Sequence, residues 1–290
     1  MSPSMQILLL GAGELGIAFL PHLSGLPNTH VTIGIRTPTR YQHLSSPNIS
    51  LLALDLSSSS KALSQSFADY DIVISATGFG QPPTRAGKGK LWFFPWQWGV
   101  NYDITGDGMG LMPLFGEQAD IRNILRAEAE ESNVRWTIVS TGIFMSFLFE
   151  QFWAVVDASS PDKPVVRALR SWDHKITVTD VTDIGKVLAR VIAGDVEAEN
   201  KVVYAAGDTV SYKELADIIE RIVGKNIKRE EWTIPHLKAE LAKDPDDAIK
   251  RYRLVFARDG VWWNKEGTVN HILKMPMVTV ETYAQKLFAA

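Results

Sequence analysis

The segment Met5 to Gly16, Met-Gln-Ile-Leu-Leu-Leu-Gly-Ala-Gly-Glu-Leu-Gly, constrains the fold of this chain more than any other. A short apolar strand runs directly into Gly11, Gly13 and Gly16, and an apolar helical pattern follows from Leu15. In such a strand–turn–helix the first glycine permits the tight turn and the second lets a pyrophosphate approach the backbone. The third lets the helix pack closely on the strand. The free N–H groups at the helix start, around Glu14 and Leu15, and its positive end would then hold phosphates. A Gly-x-Gly-x-x-Gly triplet alone is weak. With a strand before it and a helix after it, it predicts a dinucleotide site.

Apolar strands alternate with amphipathic helices through the first half, which predicts a parallel sheet covered by helices. Strands are expected at 6–10, 31–36, 49–54, 71–76, 91–94 and 136–140, and helices at 14–23, 61–67 and 114–131. The second half is mixed, with strands at 175–178 and 201–204 and helices at 183–193 and 212–222. Ser211 and Glu214 form a capping-box pattern before the last of these, and Gly224 closes it. The charged stretch from Glu240 to Arg253 reads as a further helix. The expected architecture is α/β: a Rossmann-type doubly wound parallel sheet over residues 1–156. A smaller C-terminal α+β substrate lobe over 157–290, interleaved with the first, covers the crevice at the strand ends. Between 76 and 91 the crossover holds two prolines, four glycines and no apolar periodicity, and is expected as a loop rather than a helix.

Composition narrows the function. A net charge of −3 over 290 residues gives no basic footprint for nucleic acid, so no such partner is expected. The absence of cysteine excludes disulfides, a thiolate nucleophile and cysteine-ligated metal. The six histidines lack metal-ligand spacing, and no metal is expected. Ile7–Leu10 is too short for a signal-peptide core and Ile143–Val156 too short to span a bilayer, so a cytoplasmic protein without membrane contact is expected.

The type of dinucleotide is read at the end of the second strand, where an acid binds the ribose 2′-hydroxyl and an arginine accommodates a 2′-phosphate. That strand ends Ile33-Gly34-Ile35-Arg36, followed by Thr37-Pro38-Thr39-Arg40, with no carboxylate beside it. Arg36, with donors from Thr37 and Arg40, points to NADP(H). The alternative is a solvated loop arginine. Asp55-Leu56 after the third strand is expected beside the adenine, or as a helix N-terminal acid. Thr77-Gly78 after the fourth is expected where the backbone approaches a ribose.

The stretch Leu91-Trp-Phe-Phe-Pro-Trp-Gln-Trp-Gly99, with the glycine turn, Arg36 and Asp55-Leu56, resembles the NmrA-like and isoflavone-reductase-like atypical short-chain dehydrogenases. That family carries a Phe-x-Pro-Ser-Glu-Phe-Gly motif, which here reads Phe93-Phe-Pro95-Trp96-Gln97-Trp98-Gly99. Thr137 to Phe144 and Thr179 to Gly185 are similar to its sixth-strand segment and Asp-x-Gly helix start. The aromatic-rich variant looks most like fungal members of specialised metabolism. The resemblance implies a Rossmann domain with a small substrate lobe, and cofactor contacts from Pro95 and Trp96. It further implies either an NADPH-dependent reductase of aromatic or phenolic substrates or a dinucleotide sensor without turnover. Two departures stand out. Gln118 occupies the position of the reductases' lysine, with Arg122 kept four residues later, and the general Tyr-x-x-x-Lys pair is absent, since Gly106 stands four residues after Tyr102. The other is the short 77–90 connection, where the family has a helix.

Ligands of open α/β sheets sit outside the carboxyl ends of the strands. Trp96, Gln97, Trp98, Tyr102 and Asp103 are therefore candidates to face an aromatic substrate, with Trp96 and Trp98 as a flat wall or as core filler. Tyr102 is the candidate proton donor with Asp103 as its partner. Gln118 can hydrogen-bond a carbonyl but supplies no proton by ionising. Phe144 and His174 are further substrate candidates, His174 alternatively being a surface residue. Gly106, Gly108 and Gly110 mark a hinge loop or lid. Three readings follow: an NADP(H)-dependent reductase, with or without coupled cyclisation, of an aromatic or alkaloid-like metabolite; an NADP(H)-sensing regulator; and a non-redox cyclase or isomerase that keeps the cofactor. A monomer or homodimer is expected.

Overall fold

The computed structural model describes residues 4–77, 91–129, 131–159 and 164–288. Gly78 and the 78–90 part of the expected loop crossover lie outside the described residues. From the N-terminus the elements run β1 (Met5–Leu10), α1 (Glu14–Ser24), β2 (Thr29–Ile35), β3 (Ile49–Ala53), α2 (Ser60–Phe67), β4 (Ile72–Ser75) and β5 (Leu91–Phe94). There follow α3 (Tyr102–Thr105), α4 (Pro113–Glu128), β6 (Val134–Ser140), β7 (Ile143–Phe144), β8 (Val156–Asp157), β9 (Val165–Leu169) and β10 (Lys175–Thr179). The chain continues through α5 (Val181–Ile192), β11 (Lys201–Tyr204), β12 (Asp208–Ser211), α6 (Tyr212–Val223) and β13 (Lys228–Trp232). It ends with α7 (Ile234–Lys243), α8 (Ala248–Phe256), α9 (Val269–Ile272) and α10 (Val280–Phe288).

Two compact units emerge. The first comprises Met1–Trp98, Asp120–Val139 and Ile184–Val203, and the second Gly99–Ala119, Ser140–Asp183 and Tyr204–Ala290. The chain therefore passes between units at several points rather than dividing at 156. The second unit, expected to be the smaller, takes the greater share of the chain because it includes 99–119 and 140–183.

The first unit is built on a seven-stranded sheet in the order β3-β2-β1-β4-β5-β6-β11. The pairings from β3 through β6 are all parallel. Strand order reverses between β1 and β4, the place where doubly wound sheets bind ligands at their carboxyl ends. β1, β4 and β5 read as near-continuous apolar runs because helices bury both faces of a parallel sheet. Leu8, Val73, Phe93, Trp136 and Ile138 are all buried on one side. Trp92 and Phe94 are buried. Trp92 Nε1 donates to Thr137 Oγ1 at 3.0 Å, and Thr137 Oγ1 donates to the Ala198 carbonyl at 2.7 Å. That relay fastens β5 and β6 to the segment before β11. β11 was expected in the second half, yet it forms the outer strand of this first sheet.

The second unit holds two three-stranded sheets, β12-β10-β7 and β13-β9-β8, each mixing parallel and antiparallel pairs. Its core gathers Met145, Leu148, Trp153, Val178, Tyr212 and Phe256. The capping box of α6 is present: Ser211 Oγ accepts the Glu214 N–H at 3.1 Å and Glu214 accepts the Ser211 N–H at 2.7 Å. Gly224 ends the helix at φ 67°. The expected single helix over Glu240–Arg253 is instead two helices. Pro245 brings no N–H to continue the first, and Asp247 caps the second by accepting from the Ile249 and Lys250 N–H groups. Among the described residues no helix is long and apolar enough to cross a membrane.

Candidate functional site

At the carboxyl ends of β1, β2, β3 and β4 the first unit opens a cavity of about 600 Å³. Its floor is the glycine turn. Gly11 sits at φ 98°, and a Cβ there would stand 2.7 Å from Thr77 Cγ2, so only glycine lets β1 and β4 release their chains side by side. A Cβ on Gly16 would collide with the Gly11 carbonyl oxygen, which ties α1 tightly to the turn. Gly13 is different, because a Cβ there would meet nothing within 4 Å. Gly13 is also the N-cap of α1 and brings no side chain to cover the first-turn N–H groups. The result is an open, positively polarised helix end beside a cavity, which is the geometry a phosphate needs.

Arg36, Thr37 and Arg40 line the same cavity, all three exposed at the end of β2 and in the following 3-10 turn Pro38–Leu44. Asp55, Leu56 and Thr77 line it as well. Asp55 accepts the Ser57 N–H at 3.0 Å and the Ser57 hydroxyl at 2.9 Å. Those two bonds, with the nearby Arg36 charge adding a little, hold its carboxyl below the usual carboxylate range. Asp55 is thus an anionic acceptor in a cavity that also holds two guanidinium groups.

Glu14 is exposed in the first turn of α1, and Leu15 and Gly16 are buried under it. These three shape the turn from behind and do not line the cavity. Pro95 is buried and Trp96 half-buried, and neither lines it. The lining residues that sequence reasoning missed are Gly34, Ile35, Tyr41, Leu54, Ser57 and Ala76. Gly34 had a signal, a glycine inside an apolar strand. A Cβ there would press on Leu54 Cδ2 at 3.0 Å, and its carbonyl accepts the Gly11 N–H at 3.0 Å.

Several residues proposed as substrate contacts are engaged inside their own unit. Trp98 is buried, donates Nε1 to the Ser75 carbonyl at 2.9 Å and meets Phe19 edge-on at 4.9 Å. It braces the end of β4 as core and leaves no flat face for a substrate. Gln97 is fully buried and accepts from Arg122 Nε at 2.7 Å, and Arg122 is itself fully buried. His174 is neither exposed nor free. Its Nε2 donates to the Phe256 carbonyl at 2.9 Å, and burial lowers its pKa from the usual value. That bond commits it to the interior of the second unit.

Tyr102 is buried in the second unit at the start of α3, with its ring edge-on to Phe115 at 5.1 Å. Asp103, next to it, is exposed. Gln118 is 1% exposed on α4. Phe144 is half-buried at the end of β7. Among the described residues no cluster of three or more His, Asp or Glu side chains is placed to hold a metal ion.

The model of the NmrA-like family matches residues 3–261. An NmrA-like family domain-containing oxidoreductase of Gibberella moniliformis is 37% identical over 303 residues, covering 97% of this chain and 97% of that protein. Among solved structures, isoflavone reductase is similar at a TM-score of 0.75 and 19% identity, covering 98% of this chain and 99% of its own. An NADPH-dependent quinone oxidoreductase from Escherichia coli, solved with NADPH, has a TM-score of 0.74 at 18% identity, covering 97% and 99%.

Proposed function

Since this chain belongs to the NmrA-like family, we propose that it is an NADP(H)-dependent oxidoreductase of an aromatic or alkaloid-like metabolite. It would reduce a C=O, C=N or C=C bond, with cyclisation as a coupled step where the product closes a ring. One observation carries this reading: the uncapped Gly13 turn, Arg36 and Arg40 all face a single cavity at the strand-order reversal. The oxidoreductase similar in sequence and the NADPH complex similar in fold support it.

The residues present fit such a cofactor. The open space over Gly13 admits phosphate oxygens to the first-turn N–H groups of α1. Arg36 and Arg40 are the cations for a 2′-phosphate, and Thr37 adds a hydroxyl donor. Asp55 is the acceptor on the adenosine side, and Thr77 flanks the turn from β4. When bound, NADPH supplies the hydride. Proton delivery falls to the Tyr102 hydroxyl, because the Gln118 amide has no ionising proton and is limited to orienting a polar group. An iminium substrate needs no proton at the reacting atom. That chemistry accommodates glutamine where the resemblance implies lysine.

The buried Gln118 favours one second reading, an NADP(H)-sensing regulator without turnover. Purified protein incubated with NADPH and a panel of aromatic ketones, enones and cyclic imines separates the readings. The oxidoreductase predicts loss of NADPH equal to product formed, and a Tyr102→Phe variant with lower kcat toward neutral acceptors but unchanged NADPH affinity. Tight NADPH binding with no product from any class contradicts turnover and supports the sensor. Product formed without NADPH loss would identify a cyclase or isomerase instead.

A further inference from the structure

The second unit contains a cavity of about 510 Å³ lined by none of the residues assigned above to catalysis or to the dinucleotide. Two of its walls are helix faces. Lys238, Leu241 and Ala242 recur at i, i+3 and i+4 along α7, so they share one side, and Pro245 joins them from the turn after it. Arg251 and Leu254 stand three residues apart on α8, and Arg258 follows in the turn after it. The third wall is the loop Met109–Leu111, part of the glycine-rich stretch that stood out in the sequence.

That loop is a built structure. Gly108, Met109 and Gly110 are consecutive left-handed residues at φ 65°, 61° and 81°. Asp107 fixes them: its Oδ1 accepts the Met109 N–H and its carbonyl accepts the Met112 N–H, each at 2.8 Å. A Cβ on Gly108 would stand 2.8 Å from Val255 Cγ2, so the loop lies hard against α8. Met109 is left 81% exposed in a backbone conformation that an L side chain seldom adopts. The loop therefore holds a large apolar side chain out at the cavity, where folding alone gives it nothing to bury against.

Charge decides what the cavity takes. Arg251 is committed to the Pro245 carbonyl at 2.8 Å and to Asp246 at 3.0 Å. The other acids of this region are also engaged. Glu240 pairs with Lys243, Asp244 and Asp247 lie 3.9 and 4.0 Å from Lys250, and Asp107 holds the loop. The side chains of Lys238 and Arg258 make no hydrogen bond or ion pair among the described residues. Two uncommitted cations thus edge a cavity floored by Leu111, Leu241 and Leu254. We propose that this cavity binds an amphipathic anion, a ring or short-chain apolar body whose carboxylate pairs with Lys238 and Arg258 and whose apolar part contacts the leucines and Met109. The proposal rests on the second unit alone and is independent of the dinucleotide reading.

Isothermal titration of the full chain with 1-naphthoate and its neutral isostere 1-naphthamide, at low salt and saturating NADP⁺, tests it. Two partly exposed cations acting on one carboxylate predict naphthoate binding about tenfold tighter than naphthamide. In a Lys238→Gln/Arg258→Gln variant the preference falls to about twofold or less. In an Arg36→Ala/Arg40→Ala variant it persists, which separates this site from the first cavity. Equal binding of the two compounds, no binding of either at millimolar concentration, or an unchanged preference in the double glutamine variant would each overturn the proposal. So would loss of the preference in the double alanine variant.

Discussion

A methyl group at Gly13 would meet nothing within 4 Å, whereas one at Gly16 would run into the Gly11 carbonyl. The same residue type therefore does two jobs a few positions apart, and substitution separates them. Gly13→Val is expected to fold with a melting temperature close to the parent's, because φ −77° suits an L residue. Its side chain would fill the phosphate approach and weaken dinucleotide binding at least about tenfold. Gly16→Val is expected to lose the fold, which circular dichroism would report. Tyr212 makes a second residue-scale test. Its hydroxyl is buried with no hydrogen-bond partner, and burial pushes its pKa up. Tyr212→Phe removes an unsatisfied polar atom, so denaturant titration should show it as stable as the parent or more so by about 1 kcal/mol. That Gly11, Gly13 and Arg36 line one cavity was legible because each depends on local chain geometry and position after a strand. The place of His174 was not. Its partner, the Phe256 carbonyl, is 82 residues away, and nothing near His174 in the chain announces it.

At the scale of elements, what was legible again tracks locality. The α6 helix declares both of its ends in sequence, through Ser211, Glu214 and Gly224, and the structure has all three features. Ser211→Ala is expected to cost about 1 kcal/mol by denaturant titration. β13, Lys-Arg-Glu-Glu-Trp, lies outside the expected strands, yet it pairs in parallel with β9. Two of its charges are matched from elsewhere: Arg167 meets Glu230 at 2.8 Å and Arg229 meets Asp217 at 2.7 Å. No short window contains both halves of those pairs. The Phe256–His174 bond joins α8 to the start of β10 and gives the second unit a pH dependence. The His174 pKa is lowered by folding from 6.5, so the unfolded chain binds the proton more readily. The stability that comes from keeping this histidine neutral is complete above about pH 6.5 and is lost as pH falls through the folded value. His174→Gln keeps a donor for Phe256 without titrating. The stability difference between parent and variant should therefore be flat at high pH and move against the parent below about 6.5. A difference independent of pH would contradict this assignment.

For the whole molecule, the alternation of strands and helices predicted the sheet, but not which distant segments complete each unit. The first unit needs Ile184–Val203. Asn200 N–H donates to the Trp136 carbonyl at 2.7 Å, and Asn200 Oδ1 accepts the Trp136 N–H at 3.1 Å. A fragment of residues 1–156 lacks these partners and the outer strand β11. It is expected to show no cooperative unfolding transition, in contrast to the full chain, and a cooperative fragment would contradict the interleaved division. The electrostatics of the first cavity bear on the central claim, that the glycine turn and Arg36 together select a 2′-phosphorylated dinucleotide. The most direct measurement is calorimetric titration of NADPH and NADH into the parent and into Arg36→Ala. Loss of one charge-assisted contact to the 2′-phosphate predicts that Arg36→Ala weakens NADPH by roughly 10- to 100-fold. NADH, which lacks that phosphate, should bind the parent more weakly than NADPH and should be nearly unaffected by the substitution. Equal affinity of the parent for the two dinucleotides, or an Arg36→Ala variant that holds NADPH as tightly as the parent, would contradict the account.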